Sequence, residues 1–155
     1  MRLLILMFSL VFAPVACQAE FDFGPFVFPL VEGRISSGFG RRLHPIRLVE
    51  KKHFGIDIAA ESGAVVRSVQ KGMVIFAGEF RGYGKLVTVL HRNKITTLYA
   101  HLKEVSVSLG QWIMAGDKIG LVGSTGQATG RHLHFEIKLG GVATDPANFL
   151  VYHWR

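Results

Sequence analysis

The chain has 155 residues, 49% hydrophobic and 19% charged, with a formal net charge of +7. That is enough for one domain with a real core, and too apolar for a disordered chain. Eighteen glycines favour short strands and tight turns over long helices, and a single cysteine rules out an intrachain disulfide.

Residues 1–19 read as a secretory signal peptide. Arg2 is the only charge before Glu20, Leu3 to Val15 is apolar, and small residues lie around the expected cut after Ala19. The apolar run is short for a bilayer span, so no transmembrane segment is expected after processing. Cys17 allows a second route, cleavage before it and lipid attachment to its thiol. Under simple secretion the mature domain has no cysteine, so any metal must be held by nitrogen and oxygen. Losing Arg2 takes the charge from +7 to +6. An exported protein this basic, periplasmic or secreted, is suited to anionic cell-wall polymers or membrane headgroups. The charges are scattered, with no basic helix and no aromatic-interleaved motif, which argues against nucleic acid.

Residues 20–33 are apolar and carry Pro25 and Pro29, so an extended segment wrapping the domain is expected. Phe21, Phe23, Phe26 and Phe28 would be costly in water. Strands are expected over 64–69, 73–77, 85–91, 95–101, 105–107, 118–122 and 132–138, cut by glycine-containing turns. No sustained helical period appears. The fold class is all-β, a small, mostly antiparallel sandwich or barrel. The His91-Arg92-Asn93-Lys94 turn lacks glycine, and a local change is expected there. Residues 34–150 form the domain and 151–155 a short tail.

The chemistry-bearing residues fall in two segments, His53-Phe54-Gly55-Ile56-Asp57 and His132-Leu133-His134. On a strand, positions two apart share a face about 6.5 Å apart. His132, His134 and Glu136 therefore point one way, and Leu133, Phe135 and Ile137 enter the core. His53 and Asp57 would lie roughly 13 Å apart if extended, too far for one metal with bonds near ~2 Å. The chain must fold back between them, and Gly55 is placed to allow it. His53, Asp57 and one histidine of the HLH pair then make a three-ligand set with an open fourth position, as in catalytic zinc sites. A nearby imidazole could carry the proton. His101, ending a β-rich run, could be a second imidazole in the cleft. The stretch Gly123-Ser124-Thr125-Gly126, with Thr129-Gly130, lacks the lysine of a phosphate loop and reads as a tight loop walling a cleft.

These motifs, with SSGFGRRLHP, GYGKLVTVLH, TTLYAHL, LGQWIMAGDKIGLVGSTGQATGRHLHFE and DPANFL, resemble the lysostaphin-like or LytM-type zinc metallopeptidases. The resemblance runs from about Arg34 to Leu150. It implies a duplicated-hybrid-motif β fold and one Zn2+ per chain, with His53, Asp57 and His134 as ligands. It implies His101 and His132 as catalytic imidazoles, and substrate contacts from Arg42 and His44. The implied activity is hydrolysis of stem or cross-link peptides of bacterial peptidoglycan, with D-Ala–diaminopimelate bonds expected from GRRLHP. Two rivals are a non-catalytic wall-binding or amidase-activating protein on the same fold and a carrier domain modified at Lys118, which leaves the histidines unexplained. The residues before Arg34 are too few for a folded prodomain, so the groove is expected to be open in cis, with control by export, abundance or a partner.

Overall fold

The structure is a computed structural model that describes residues 26–43 and 50–151. The expected signal peptide, Cys17, Phe21, Phe23, Pro25 and His44 lie outside the described residues. Those residues form fourteen strands and no α-helix: β1 (Phe26–Val27), β2 (Arg34–Ser37), β3 (Gly40–Leu43), β4 (Glu50–His53), β5 (Ile56–Ala59), β6 (Val65–Arg67), β7 (Gly72–Phe80), β8 (Gly84–Leu90), β9 (Ile95–Val105), β10 (Trp112–Ile113), β11 (Lys118–Val122), β12 (His132–Leu139), β13 (Val142–Thr144) and β14 (Leu150–Val151). No helix among them is long and apolar enough to cross a membrane.

The main sheet runs β10-β7-β8-β9-β12-β5-β2, with β11 bridging β9 to β6 and β13 paired to β12. Its pairings are antiparallel. A separate β3–β4 hairpin stands beside it, and β1 pairs parallel with β14. The all-β, mostly antiparallel expectation holds.

Period-2 alternation explains how the site faces away from the core. Ile56 and Ile58 of β5 and Leu133, Phe135 and Ile137 of β12 are fully buried with Tyr99, Val87 and Val89. Burial of each such side chain contributes about 1.5–3 kcal/mol. The intervening residues, Asp57 on β5 and His132, His134 and Glu136 on β12, take the other face. Phe26 is fully buried and lies 5.9 Å ring to ring from both His91 and Phe149, while Phe28 packs on the core's edge. The described part of the N-terminal segment thus covers the core.

The strand expected over 105–107 is not separate: β9 runs unbroken from Ile95 to Val105. The reason is a change of partner within it. Up to Ala100 it pairs with β12, and from Leu102 onward with β11. His101 stands at the changeover with φ +61, a left-handed conformation uncommon outside glycine. There the His101 N–H leaves the ladder and donates to the Tyr83 carbonyl at 3.0 Å. In the glycine-free turn after β8, Asn93 and Lys94 both adopt positive φ, so the local change falls in the backbone of that turn.

A buried polar chain runs under the sheet. The Val69 N–H donates to the Tyr99 hydroxyl (3.0 Å), which is 3.1 Å from the Thr97 hydroxyl, itself 2.8 Å from His91 Nε2. His91 Nδ1–H donates to the Lys71 carbonyl (2.9 Å). Burial pushes His91 below the ordinary histidine value, outweighing the Lys71 bond. The unfolded chain therefore binds this proton first as pH falls. Stability is expected to drop below about pH 6.5, by up to about 1.4 kcal/mol per pH unit until the folded value is passed. Urea midpoints at pH 7.5 and 5.0 check this. His91→Gln should flatten the slope, and an unchanged slope would exclude His91 as its source.

Candidate metal centre

Three separate pieces of chain bring the site together. His53 ends β4, the bend Phe54-Gly55 follows, and Asp57 lies in β5. The pairing of β5 with β12 sets Asp57 directly opposite His134. Gly55 is needed for a different reason from the one expected. It is not among the positive-φ glycines; instead a Cβ there would run into the Phe135 carbonyl of β12. The bend succeeds because the backbone passes flush against the neighbouring strand.

The donor atoms form a small triangle. His53 Nε2 is 3.0 Å from Asp57 Oδ1, His134 Nδ1 is 2.8 Å from the same oxygen, and the two ring nitrogens are 3.1 Å apart. Donors around a tetrahedral ion with bonds of about 2.0–2.1 Å sit about 3.3 Å apart, so the triangle fits a single cation closely. His132 lies outside it, with Nε2 3.7 Å from Asp57 Oδ1.

The far nitrogens of the two rings fix what faces inward. His53 Nδ1 meets the Gly38 carbonyl at 2.6 Å, and His134 Nε2 meets Glu136 Oε1 at 3.0 Å. Both partners are acceptors, so both far nitrogens carry protons; the near ones present lone pairs when a cation lies between them, and donate to Asp57 when the rings are charged. Two lone pairs and a carboxylate oxygen converging within about 3 Å require positive charge between them. Burial alone would push the Asp57 carboxyl up, but bonds to His134 and His53 hold it well below the usual carboxylate range. Burial works against a charged His134, yet Asp57 and Glu136 raise it above the ordinary histidine value. Among the described residues, His53, Asp57 and His134 are the group with metal-ligand geometry.

Two further imidazoles border the triangle. The ring of His101 lies 4.8 Å from that of His132 and 5.8 Å from that of His134. His101 Nδ1–H donates to the Thr125 carbonyl (2.7 Å), leaving Nε2 as a free acceptor. Burial pushes His101 below the ordinary value, against the Thr125 bond and together with repulsion from His132 and His134. His132 Nδ1–H donates to the Gly130 carbonyl at 2.9 Å.

The glycine-rich loop forms a wall, laced to the turn before β8. Gln127 N–H donates to Gly82 O (2.8 Å), Lys85 N–H to the Thr125 hydroxyl (3.0 Å), and that hydroxyl to Leu102 O (2.8 Å). His101 N–H donates to Tyr83 O at 3.0 Å. Gly84 and Gly126 touch backbone to backbone, both with positive φ, so no side chain fits at either.

Of the expected site residues, His53, Asp57, His132, His134 and His101 converge. Arg42 lies in β3 of the flanking hairpin, opposite Lys51 of β4. Two residues were not singled out for a role. Glu136 is fully buried, and the Tyr83 hydroxyl donates to its Oε1 at 2.7 Å. A carboxylate two positions beyond His134 on the same strand face is the signal from which a role for Glu136 could have been read. Nothing in the local sequence pointed to Tyr83, which arrives through the loop lacing.

This β fold carries a His-Asp-His triangle with metal-ligand geometry, and residues 51–146 match peptidase family M23. The chain belongs to that family. It is 46% identical over 120 residues to the DD-carboxypeptidase/endopeptidase Mpg of Neisseria meningitidis, across 77% of this chain. It spans only 28% of that relative's length. Among solved structures it resembles a zinc-containing peptidase from Vibrio cholerae (35% identity, TM-score 0.74, 79% of this chain and 39% of the other). It also resembles the catalytic domain of lysostaphin from Staphylococcus simulans (28% identity, TM-score 0.69, 76% and 91%).

Proposed function

We propose that this protein is a zinc-dependent endopeptidase that hydrolyses peptides of bacterial peptidoglycan, with the D-Ala–diaminopimelate cross-link as its bond. The convergence of His53 Nε2, Asp57 Oδ1 and His134 Nδ1 within 3.1 Å, bordered by two more imidazoles, carries this reading. The 46% identity to a DD-carboxypeptidase/endopeptidase supports the substrate class. We take residues 34–150 as the domain, exported behind the 1–19 segment, and its basic surface as suited to an anionic wall.

His53, Asp57 and His134 would hold the ion. Zinc, when bound, supplies Lewis acidity toward a carbonyl oxygen and toward water. The other steps belong to the protein's own residues. Asp57 stays ionised and balances the cation's charge. His101, neutral and with Nε2 free, accepts the proton lost by the attacking water and returns it to the leaving amine. His132, within ring contact of His101, shares that proton traffic and faces the charge developing on the carbonyl oxygen. Arg42 and His44 contact the substrate.

Mass spectrometry of fragments released from defined, cross-linked muropeptides is the test. Zinc-dependent conversion of dimers to monomers, abolished by a chelator and restored by zinc, is expected. Intact dimers in the presence of bound zinc would instead support a non-catalytic wall-binding role.

A further inference from the structure

Glu136 is a buried carboxylate with no exposed surface, an expensive placement unless it is paired. Three groups surround it. The Tyr83 hydroxyl and His134 Nε2 both lie on Oε1, at 2.7 and 3.0 Å, and Lys138 Nζ lies 3.1 Å from Oε2. Burial alone would raise the carboxyl, but bonds from His134 and Tyr83 to Oε1 and the Lys138 charge beside Oε2, which has no hydrogen bond of its own, hold it below its usual range. Burial pushes the Tyr83 phenol up and the Glu136 bond adds to this, so the phenol stays protonated and donates. Its ring also lies 5.7 Å from the His134 ring.

We propose that Glu136 is a positioning residue for His134. By accepting the Nε2 proton it sets the ring so that Nδ1 presents its lone pair to His53 and Asp57, and Tyr83 clamps the carboxylate in that pose. The inference rests on His134 being a metal ligand, as proposed above. The two imidazoles of the triangle are then unequal. His53 is backed by a neutral carbonyl, Gly38 O, and His134 by an anion. An anion behind a ligand imidazole raises its donor strength, and removing such a partner typically weakens metal binding about 10- to 100-fold. Tyr83 comes from the turn laced to the glycine loop, so the cleft wall and the metal-holding ring share one hydrogen-bonded chain.

Competition of the zinc-loaded full chain against a chromophoric chelator tests this. Glu136→Gln is expected to bind zinc about 10- to 100-fold more weakly, with Tyr83→Phe showing a smaller loss in the same direction. Nitrogen-15 NMR of the zinc-loaded wild type should show His134 protonated at Nε2 and bare of protons at Nδ1, with the Nε2–H signal shifted or lost in Glu136→Gln. A purely structural role would lower the melting temperature of both variants but leave the zinc affinity of the folded protein and that signal unchanged. A wild type that holds zinc beside a Glu136→Gln chain that holds it equally tightly overturns this inference alone. A wild type that holds no zinc overturns the metal reading as well. If Glu136→Gln does not fold, Tyr83→Phe and the wild-type spectrum decide, and a proton on His134 Nδ1 is the overturning result.

Discussion

Asp57→Ala is expected to leave a folded protein that no longer retains zinc and whose peptidoglycan hydrolysis falls by roughly a thousandfold or more. Asp57 sits on the polar face of β5, so the core formed by Ile56 and Ile58 survives the change. The triangle loses its only negative corner. His53 Nε2 and His134 Nδ1 are left 3.1 Å apart with two lone pairs and no charge to draw a cation between them. His132→Ala is expected to behave differently, retaining one zinc per chain while losing about 100- to 10,000-fold in rate, the usual worth of an acid–base group. Metal analysis after dialysis and turnover on muropeptides separate the two. An empty site in His132→Ala would reverse the assignment of the two histidines in HLH.

Gly55→Ala should be strongly damaging, at about 3 kcal/mol or more of stability. Its methyl group would meet the Phe135 carbonyl, with the carbonyl carbon at 2.8 Å and Glu136 Cγ at 2.9 Å. Relief requires β5 and β12 to part, and that pairing holds Asp57 opposite His134. Activity should therefore fail together with stability. Gly130→Ala is the control: nothing lies within 4 Å of a Cβ there, and a change within about 0.5 kcal/mol is expected. Urea unfolding of both variants is the measurement, and equal midpoints would refute the close-approach account.

Much of this was legible in the sequence because strand alternation is a local rule. His132, His134 and Glu136 had to share a face once β12 was read as a strand, and Leu133, Phe135 and Ile137 the other. Fold-back between His53 and Asp57 was legible from distance alone. Other features depend on pairings that no local window carries. The opposition of β5 to β12 supplies the real constraint on Gly55. The transfer of β9 from β12 to β11 turns the expected strand end at His101 into a bulge within a longer strand. Alternation alone does not say what covers the polar face of β12, where His134 is 7% exposed and Glu136 fully buried. Only the neighbouring strands and the Tyr83 turn make it so.

The lacing between the Tyr83 turn and the loop over 123–130 bears on how a substrate is received. Four main-chain or hydroxyl bonds and two bare glycine contacts set that wall during folding, before any ligand arrives. Little ordering entropy then remains to be lost on association, so affinity and turnover should be governed by complementarity to a rigid trough. Selectivity on this side of the cleft would come from rejecting misfits at the door.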